Sequence, residues 1–383
     1  MKKKILFCAT VDYHFSLFHL PFIKWFKEQG WEVHVAAAGS LKLPYVDYQF
    51  HLPIQRSPLK KDNIAAYKKI NALIEKYQYD FIDSHTPMGG ILGRLAARNR
   101  RNKGLKVIYT AHGFHFCNGA PLLNWLVYYP IEKIMAHFTD LLITINHEDY
   151  SLAMKHKFKA KEIALIHGVG VNPDRFTPVT KIQKGILREK HHYHRDAFLM
   201  FYGAEFNRNK NQSFLIKALA HIKEQQPEAR LILAGEGPEL NHCKELAESL
   251  GIRHMVDFLG FRKDIDLLLQ MCDLVVASSL REGLPVNIME GMAAGLPIVA
   301  VPNRGHGELV CSGRNGWIVK NVNEMADKVK LLAADERLCK QLGAESREII
   351  LEKYSVNKVL EEKRKLYKKV INEMGGEVQW AVH

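Results

Sequence analysis

Glu282 and Glu290 lie eight residues apart in SSLREGLPVNIMEGMAAGLPIVA (278–300). The first closes a strand-to-helix loop and the second falls inside the helix that follows. Ionised carboxylates accept hydrogen bonds and can grip a diol, whereas the helix N-terminus beside them favours phosphate. Carboxylate and phosphate repel, so hydroxyls and phosphate need separate places, and Gly283, Leu284 and Pro285 shape the loop that divides them. A second loop, YGAEFNRNKN (202–211), carries Arg208 and Lys210 between an apolar strand and a helix. Free amides and two cations there suit a phosphate. In LAGEGPE (233–239), Gly235 and Gly237 let the backbone approach a neighbour and Pro238 suits a first helical turn; a GxG alone serves structure as readily as binding. His112, in YTAHGFHF, follows a strand, and Gly113 leaves space above it. A histidine there can donate a hydrogen bond to a sugar or phosphate oxygen. Position singles out His112 among 19 histidines, and His115 reads as a second contact or a loop anchor. Asp264 and Asp266 spell DxD, a spacing that holds a divalent metal in some enzymes. In FRKDIDLLLQM they fall at a helix start and are expected to cap free N–H groups. No other carboxylate or histidine cluster suggests an ion, so neither a bound metal nor a tightly bound cofactor is expected.

The elements around these residues alternate. Apolar runs at 5–10, 32–37, 81–83, 107–110, 141–145 and 163–166 read as strands. Between them, helical patterns run over 20–29, 60–76, 89–99, 129–138 and 148–155. The theme repeats after 196, with strands at 198–202, 231–234, 256–259, 274–277, 297–300 and 316–319. Alternation with uninterrupted apolar strands marks an α/β fold of mostly parallel, doubly wound sheets. Its ligands sit beyond the carboxyl ends of the strands. The domains are expected at 1–178 and 196–355, joined by a linker over 179–195. A C-terminal helix over 356–373 returns to the first domain, and a loose tail follows from Gly375 to His383.

A chain of 383 residues fits two domains of ordinary size. The six cysteines are scattered without metal-ligand spacing and read as reduced thiols. The basic, briefly apolar N-terminus MKKKILFCATV reads as a buried strand rather than a signal peptide. No stretch is long and apolar enough to span a bilayer, so a cytoplasmic location is expected. Residues 1–178 hold 24 Lys and Arg against 14 Asp and Glu, a net of +10; the remainder nets +3. A basic first domain attracts anionic partners. Leu17, Phe18, Leu20, Phe22, Trp25 and Phe26 interleave with Lys24 and Lys27. Leu122, Leu123, Trp125, Tyr128 and Tyr129 follow the His112 loop. Both stretches are candidates for a membrane face. The chain lacks a basic–aromatic nucleic-acid module, and CATVDYH lacks the glycine fingerprint of a dinucleotide-dependent dehydrogenase.

The motifs together resemble the retaining glycosyltransferases of family 4, with the GT-B fold: two Rossmann-like domains facing each other across a cleft. The E-x7-E of that family is similar to Glu282 and Glu290. AGEGPE, RGHGELV with Glu308, NGWIVKN and TAHG match further blocks, and the resemblance covers nearly the whole chain. It implies that Lys210 holds the donor diphosphate and that Glu282 contacts the donor sugar. It places Glu290 on the nucleotide ribose, His112 near the sugar and its phosphate, and Gly260–Arg262 beside the base. The family often has Arg five residues before the diphosphate Lys; Glu205 stands there, leaving Arg208 as the substitute. The family's glycine pair in the first strand-to-helix loop is replaced by TVDYHFS, with His14 as a contact on the acceptor side. FHLPFIKWFKEQGWEVHV, TAHGFHF and ITINHEDY resemble the subgroup of bacterial exopolysaccharide, capsule and lipid-linked sugar assembly. The implied reaction moves a hexose or N-acetylhexosamine from a nucleoside-diphosphate donor, expected to be UDP-linked, to a lipid-linked or membrane-proximal glycan at the inner face of the plasma membrane. The rivals are a nucleotide-sugar 2-epimerase of the same architecture and a non-catalytic nucleotide-sugar-binding component of a polysaccharide assembly complex.

Overall fold

A computed structural model describes residues 2–373; the tail expected to be loose, 375–383, lies outside them. The chain divides into two compact units, one built from residues up to Val169 together with those from Val359 onward, the other from Gly170–Lys358. All six cysteines are free thiols. Among the described residues, no helix is long and apolar enough to cross a membrane.

In the first unit, seven strands form one sheet: β1 (Lys4–Val11), β2 (Glu32–Ala38), β3 (Tyr48–His51), β4 (Phe81–His85), β5 (Lys106–Ala111), β6 (Leu141–Thr144) and β7 (Glu162–Leu165). Their order is β3-β2-β1-β4-β5-β6-β7, and every pairing is parallel. Helices cover both faces, so β1 and β4 are buried almost throughout and carry no polar alternation. Chain direction of winding reverses between β1 and β4, which makes their carboxyl ends the topological switch point. The first loop is no loop: the chain turns from β1 into a short helix, Tyr13–Phe18, then into Leu20–Glu28. Phe22, Trp25 and Phe26 are buried, which corrects their reading as a membrane face. They pack inward, where Trp25 stacks on Tyr367 at 5.9 Å and Phe26 meets it edge-on at 4.9 Å. Tyr367 belongs to the last helix, Val356–Asn372, which also buries Val359, Val370 and Ile371. The helix expected from Tyr129 starts at Leu122 and runs to Ala136 with Pro130 inside it. Its early turns leave Leu122, Leu123 and Leu126 exposed.

The second unit holds β8 (Leu199–Gly203), β9 (Arg230–Ala234), β10 (Val256–Phe258), β11 (Leu274–Ala277), β12 (Ile298–Ala300) and β13 (Gly316–Ile318). Their order, β10-β9-β8-β11-β12-β13, puts this unit's switch point between β8 and β11. Much of the expected linker is structured: Thr180 caps a helix over Lys181–Lys190 with a capping box. Its Arg188 ties into the unit, reaching Met271 O at 2.9 Å and Asp273 Oδ2 at 2.6 Å. The RGHGELV block forms a short helix over Arg304–Leu309, capped by Asn303.

Candidate active site

The two loops flanking the second switch point are stitched together. The β8 loop sends the Asn209 carbonyl to the Leu280 amide at 2.8 Å, and Asn209 Nδ2 donates to Arg281 O at 3.0 Å. Ser278 Oγ donates to Lys210 O at 2.7 Å. These bonds bring the Lys210 ammonium to Glu282 Oε1 at 2.5 Å, with both side chains mostly buried. Arg304 Nε donates to Glu282 O at 2.9 Å, and Asn303 Nδ2 to Ser279 O at 2.7 Å, so the Arg304–Leu309 helix braces the glutamate loop. Sequence reading had not picked out Arg304 or Asn303.

Gly235 and Gly237 lie against the same β8 loop. A Cβ on Gly235 would sit 2.0 Å from Ala204 O, and one on Gly237 2.3 Å from Phe206 O. Both glycines therefore serve close backbone approach between the two loops. Gly283 is half-buried, and Leu284 and Pro285 are buried at the start of the helix Val286–Ala293. Glu290, inside that helix, is desolvated enough that burial pushes its carboxyl up to about 7; nearby Asp266 adds to the shift and Arg175 opposes it. Arg208 points into solvent, 94% exposed, 3.7 Å from Glu239. Its long stem is free to swing onto an anion.

Asp264 and Asp266 do not cap the helix Ile265–Met271, which has no side-chain cap bond. Asp264 instead receives the Arg262 guanidinium through both oxygens, and Asp266 pairs with Arg175 at 3.0 Å. A guanidinium two residues away outcompetes a backbone N–H for a carboxylate. Arg262 is thereby fixed at the edge of the β10 loop. A cavity of about 1150 Å³ in this unit opens at the other end of the sheet, beside Lys184, Arg188 and Asp273. Those charges already pair with one another, so the cavity carries no part of this site.

In the first unit the switch point carries histidines. His14 and His19 come from the segment after β1, His85 ends β4, and His112 follows β5. One ring nitrogen from each lies within 4.8 Å of the other three, which overturns the expectation that the chain holds no histidine cluster. His14 Nε2 and His19 Nε2 are 3.0 Å apart, and His85 Nδ1 and His112 Nε2 3.3 Å. Burial and mutual proximity keep the rings neutral: His14 is pushed down to about 3, and His19 and His112 well below the usual histidine range. Behind them lies a buried ionic group. His85 Nε2 is 3.4 Å from Asp83 Oδ2, Lys363 Nζ is 3.2 Å from the same oxygen, and Tyr367 donates its hydroxyl to it. Burial works against the Asp83 carboxylate, yet His85, Lys363 and Tyr367 hold it well below the usual range. His115 is exposed, lies tilted against Tyr128 at 4.6 Å and accepts Asn124 Nδ2 on its carbonyl at 2.9 Å; it anchors its loop.

The sequence profile of the group 1 glycosyl transferases matches residues 183–349, and that of the glycosyl transferase 4-like family matches residues 4–146. The EpsD glycosyltransferase candidate of Bacillus subtilis (strain 168) is 51% identical over 369 residues, covering 96% of this chain and 97% of its own. The chain belongs to the glycosyltransferases of this family. The UDP-Gal:alpha-D-GlcNAc-diphosphoundecaprenol alpha-1,3-galactosyltransferase of Escherichia coli is 28% identical to this glycosyltransferase, covering 80% of this chain and 79% of its own. Among solved structures, Anabaena Alr3699/HepE in complex with UDP and glucose superposes with a TM-score of 0.75. It is 20% identical and covers 96% of this chain and 100% of its own. That likeness is one of fold, and it identifies the two parallel-sheet units of the glycosyltransferase as GT-B.

Proposed function

We propose that this glycosyltransferase takes a hexosyl or N-acetylhexosaminyl group from a UDP-sugar and passes it, with retention, to a lipid-linked or membrane-proximal glycan in exopolysaccharide or capsule synthesis. The observation that carries the reading is the Lys210–Glu282 pair, held by two stitched loops at the carboxyl ends of β8 and β11. An ammonium at a switch point, beside glycine-spaced amides, is a diphosphate site before any donor arrives. When the diphosphate enters, Lys210 shares its charge with it and Glu282 turns its freed oxygen to a sugar hydroxyl. Arg208 closes from solvent, taking the work of the arginine that Glu205 replaces. Glu290 receives the ribose hydroxyls, and Arg262 flanks the base. His112 donates to an oxygen at the reacting centre.

The chemistry then needs no protein nucleophile. The bond from the anomeric carbon to the diphosphate breaks as positive charge develops on the sugar. The incoming hydroxyl attacks from the same face, and its proton passes to the departing phosphate oxygen. Stabilising that oxygen and aligning the two partners is what the fixed cations and amides supply.

Support for a UDP-linked donor and a lipid-linked acceptor comes from the named activity of the Escherichia coli relative and from the UDP in the HepE complex. The basic first domain and the exposed leucines of the Leu122–Ala136 helix favour an acceptor at an anionic membrane face, with the protein cytoplasmic. A panel of UDP-sugars incubated with membrane extract tests the proposal. A longer glycan with the donor's anomeric configuration supports it. An inverted product overturns retention, and epimerised nucleotide sugar without a longer glycan favours the 2-epimerase.

A further inference from the structure

We infer that His14, His19, His85 and His112 form a binding site for one divalent transition-metal ion, zinc foremost, ligated by four imidazole nitrogens. Zinc binds histidine nitrogen at about 2.0–2.1 Å in a tetrahedron, so neighbouring ligands lie roughly 3.4 Å apart. Two of the nitrogen pairs stand at 3.0 and 3.3 Å, and the full set spans no more than 4.8 Å. Small side-chain rotations would bring all four to bonding distance.

The surroundings match a metal site in three further respects. His85 turns Nδ1 toward the cluster and Nε2 toward Asp83. A ligating histidine backed by a carboxylate is the usual device that fixes its tautomer and raises its basicity. The Asp83 and Lys363 charges pair at 3.2 Å, so neither faces the cluster alone. His19 is 1% exposed, so an ion held through its Nε2 would be shielded from water. Phe7 stacks flat on His85 while Phe15 and Phe18 pack edge-on around His85 and His14, giving the site an apolar wall. Ligation through Nε2 would lock the His112 ring and leave Nδ1–H to donate to the substrate oxygen proposed above. Metal binding itself does not depend on that role.

Cobalt(II) titration of the full-length protein tests the site. The expected result is a visible absorption of tetrahedral cobalt that saturates at one equivalent and is displaced by zinc. His14→Ala and His19→Ala should abolish the signal, with circular dichroism reporting the fold. Asp83→Asn should weaken affinity about 10- to 100-fold. His115→Ala, outside the cluster, should leave it unchanged. Absence of the tetrahedral signal in the wild-type protein overturns the inference, as does its persistence in folded His14→Ala and His19→Ala. Should those variants fail to fold, X-ray absorption of the zinc-loaded wild type decides: four nitrogen neighbours sustain the site, and a mixed oxygen shell refutes it.

Discussion

Lys210 and Glu282 neutralise each other across two loops, and under the proposed function a donor must divide that pair to bind. Lys210→Ala should therefore lower kcat/KM by about 10²–10³, the usual cost of losing one fixed group opposite a developing anion. Arg208 is nearly all in solvent, so Arg208→Ala should cost about tenfold at low salt, and the difference should shrink as salt rises. Steady-state kinetics on both variants check this, and unchanged values for Arg208→Ala would remove it from the diphosphate grip. Glu290 offers a pH test. Its carboxyl ionises near 7 in the folded chain against an ordinary 4.5. The stability gained from the neutral form is complete below about 4.5 and is lost as pH rises through about 7. Glu290→Gln should flatten that decline in denaturant titrations between these limits; a decline equal to the wild type's would mean that another group titrates. Glu282 and Lys210 were legible in the sequence because each sits in a short loop whose neighbours announce its geometry, and Glu290 because it falls in the helix that follows. The histidine cluster was not, because it draws on three separate strand ends, and only the sheet order makes them neighbours. Histidines recurring just after apolar strands were the available signal.

Elements decide what those side chains face. Strands read well because parallel sheets covered on both sides leave long apolar runs. Short pieces read poorly: β3, the Tyr13–Phe18 helix and the Arg304–Leu309 helix have too few residues for a period to emerge. Aspartates 264 and 266 misled because capping and ion pairing use the same residue at the same place, and only the position of Arg262 and Arg175 separates them. The Leu122–Ala136 helix keeps Leu122, Leu123 and Leu126 between 65% and 75% exposed. If that face rests on a membrane, the wild-type protein floats with anionic vesicles, ignores neutral ones and is released by salt. Replacing the three leucines with serine, or reversing charge at Lys60 and Lys61, should weaken flotation while leaving UDP binding intact. Flotation that survives both sets of changes would place the contact elsewhere.

At the scale of the whole molecule, two parallel sheets with reversed winding explain why the candidate residues gather at β8–β11 in one unit and β1–β4 in the other. Alternating strands and helices made that architecture readable. The helix inside the expected linker was hidden by its sparse apolar content, since Lys184 and the buried Arg188 tie it down by ion pairing to Asp273. The last helix belongs to the first unit from Val359 onward and buries Ile371 and Tyr367 against its core. Ile371→Ala should cost about 2–5 kcal/mol by the cavity it opens, read as a lower denaturation midpoint; a change below about 0.5 kcal/mol would mean the helix end is not part of the core. The most direct test of the whole reading is radiolabelled sugar transfer from UDP-sugars to undecaprenyl-diphosphate-linked glycans, run side by side for the wild type and Lys210→Ala. The expected result is a longer lipid-linked product from at least one donor, with release of UDP, and its near disappearance in a folded Lys210→Ala protein. Transfer that continues undiminished without Lys210, or a folded wild type that transfers from no UDP-sugar, would contradict it.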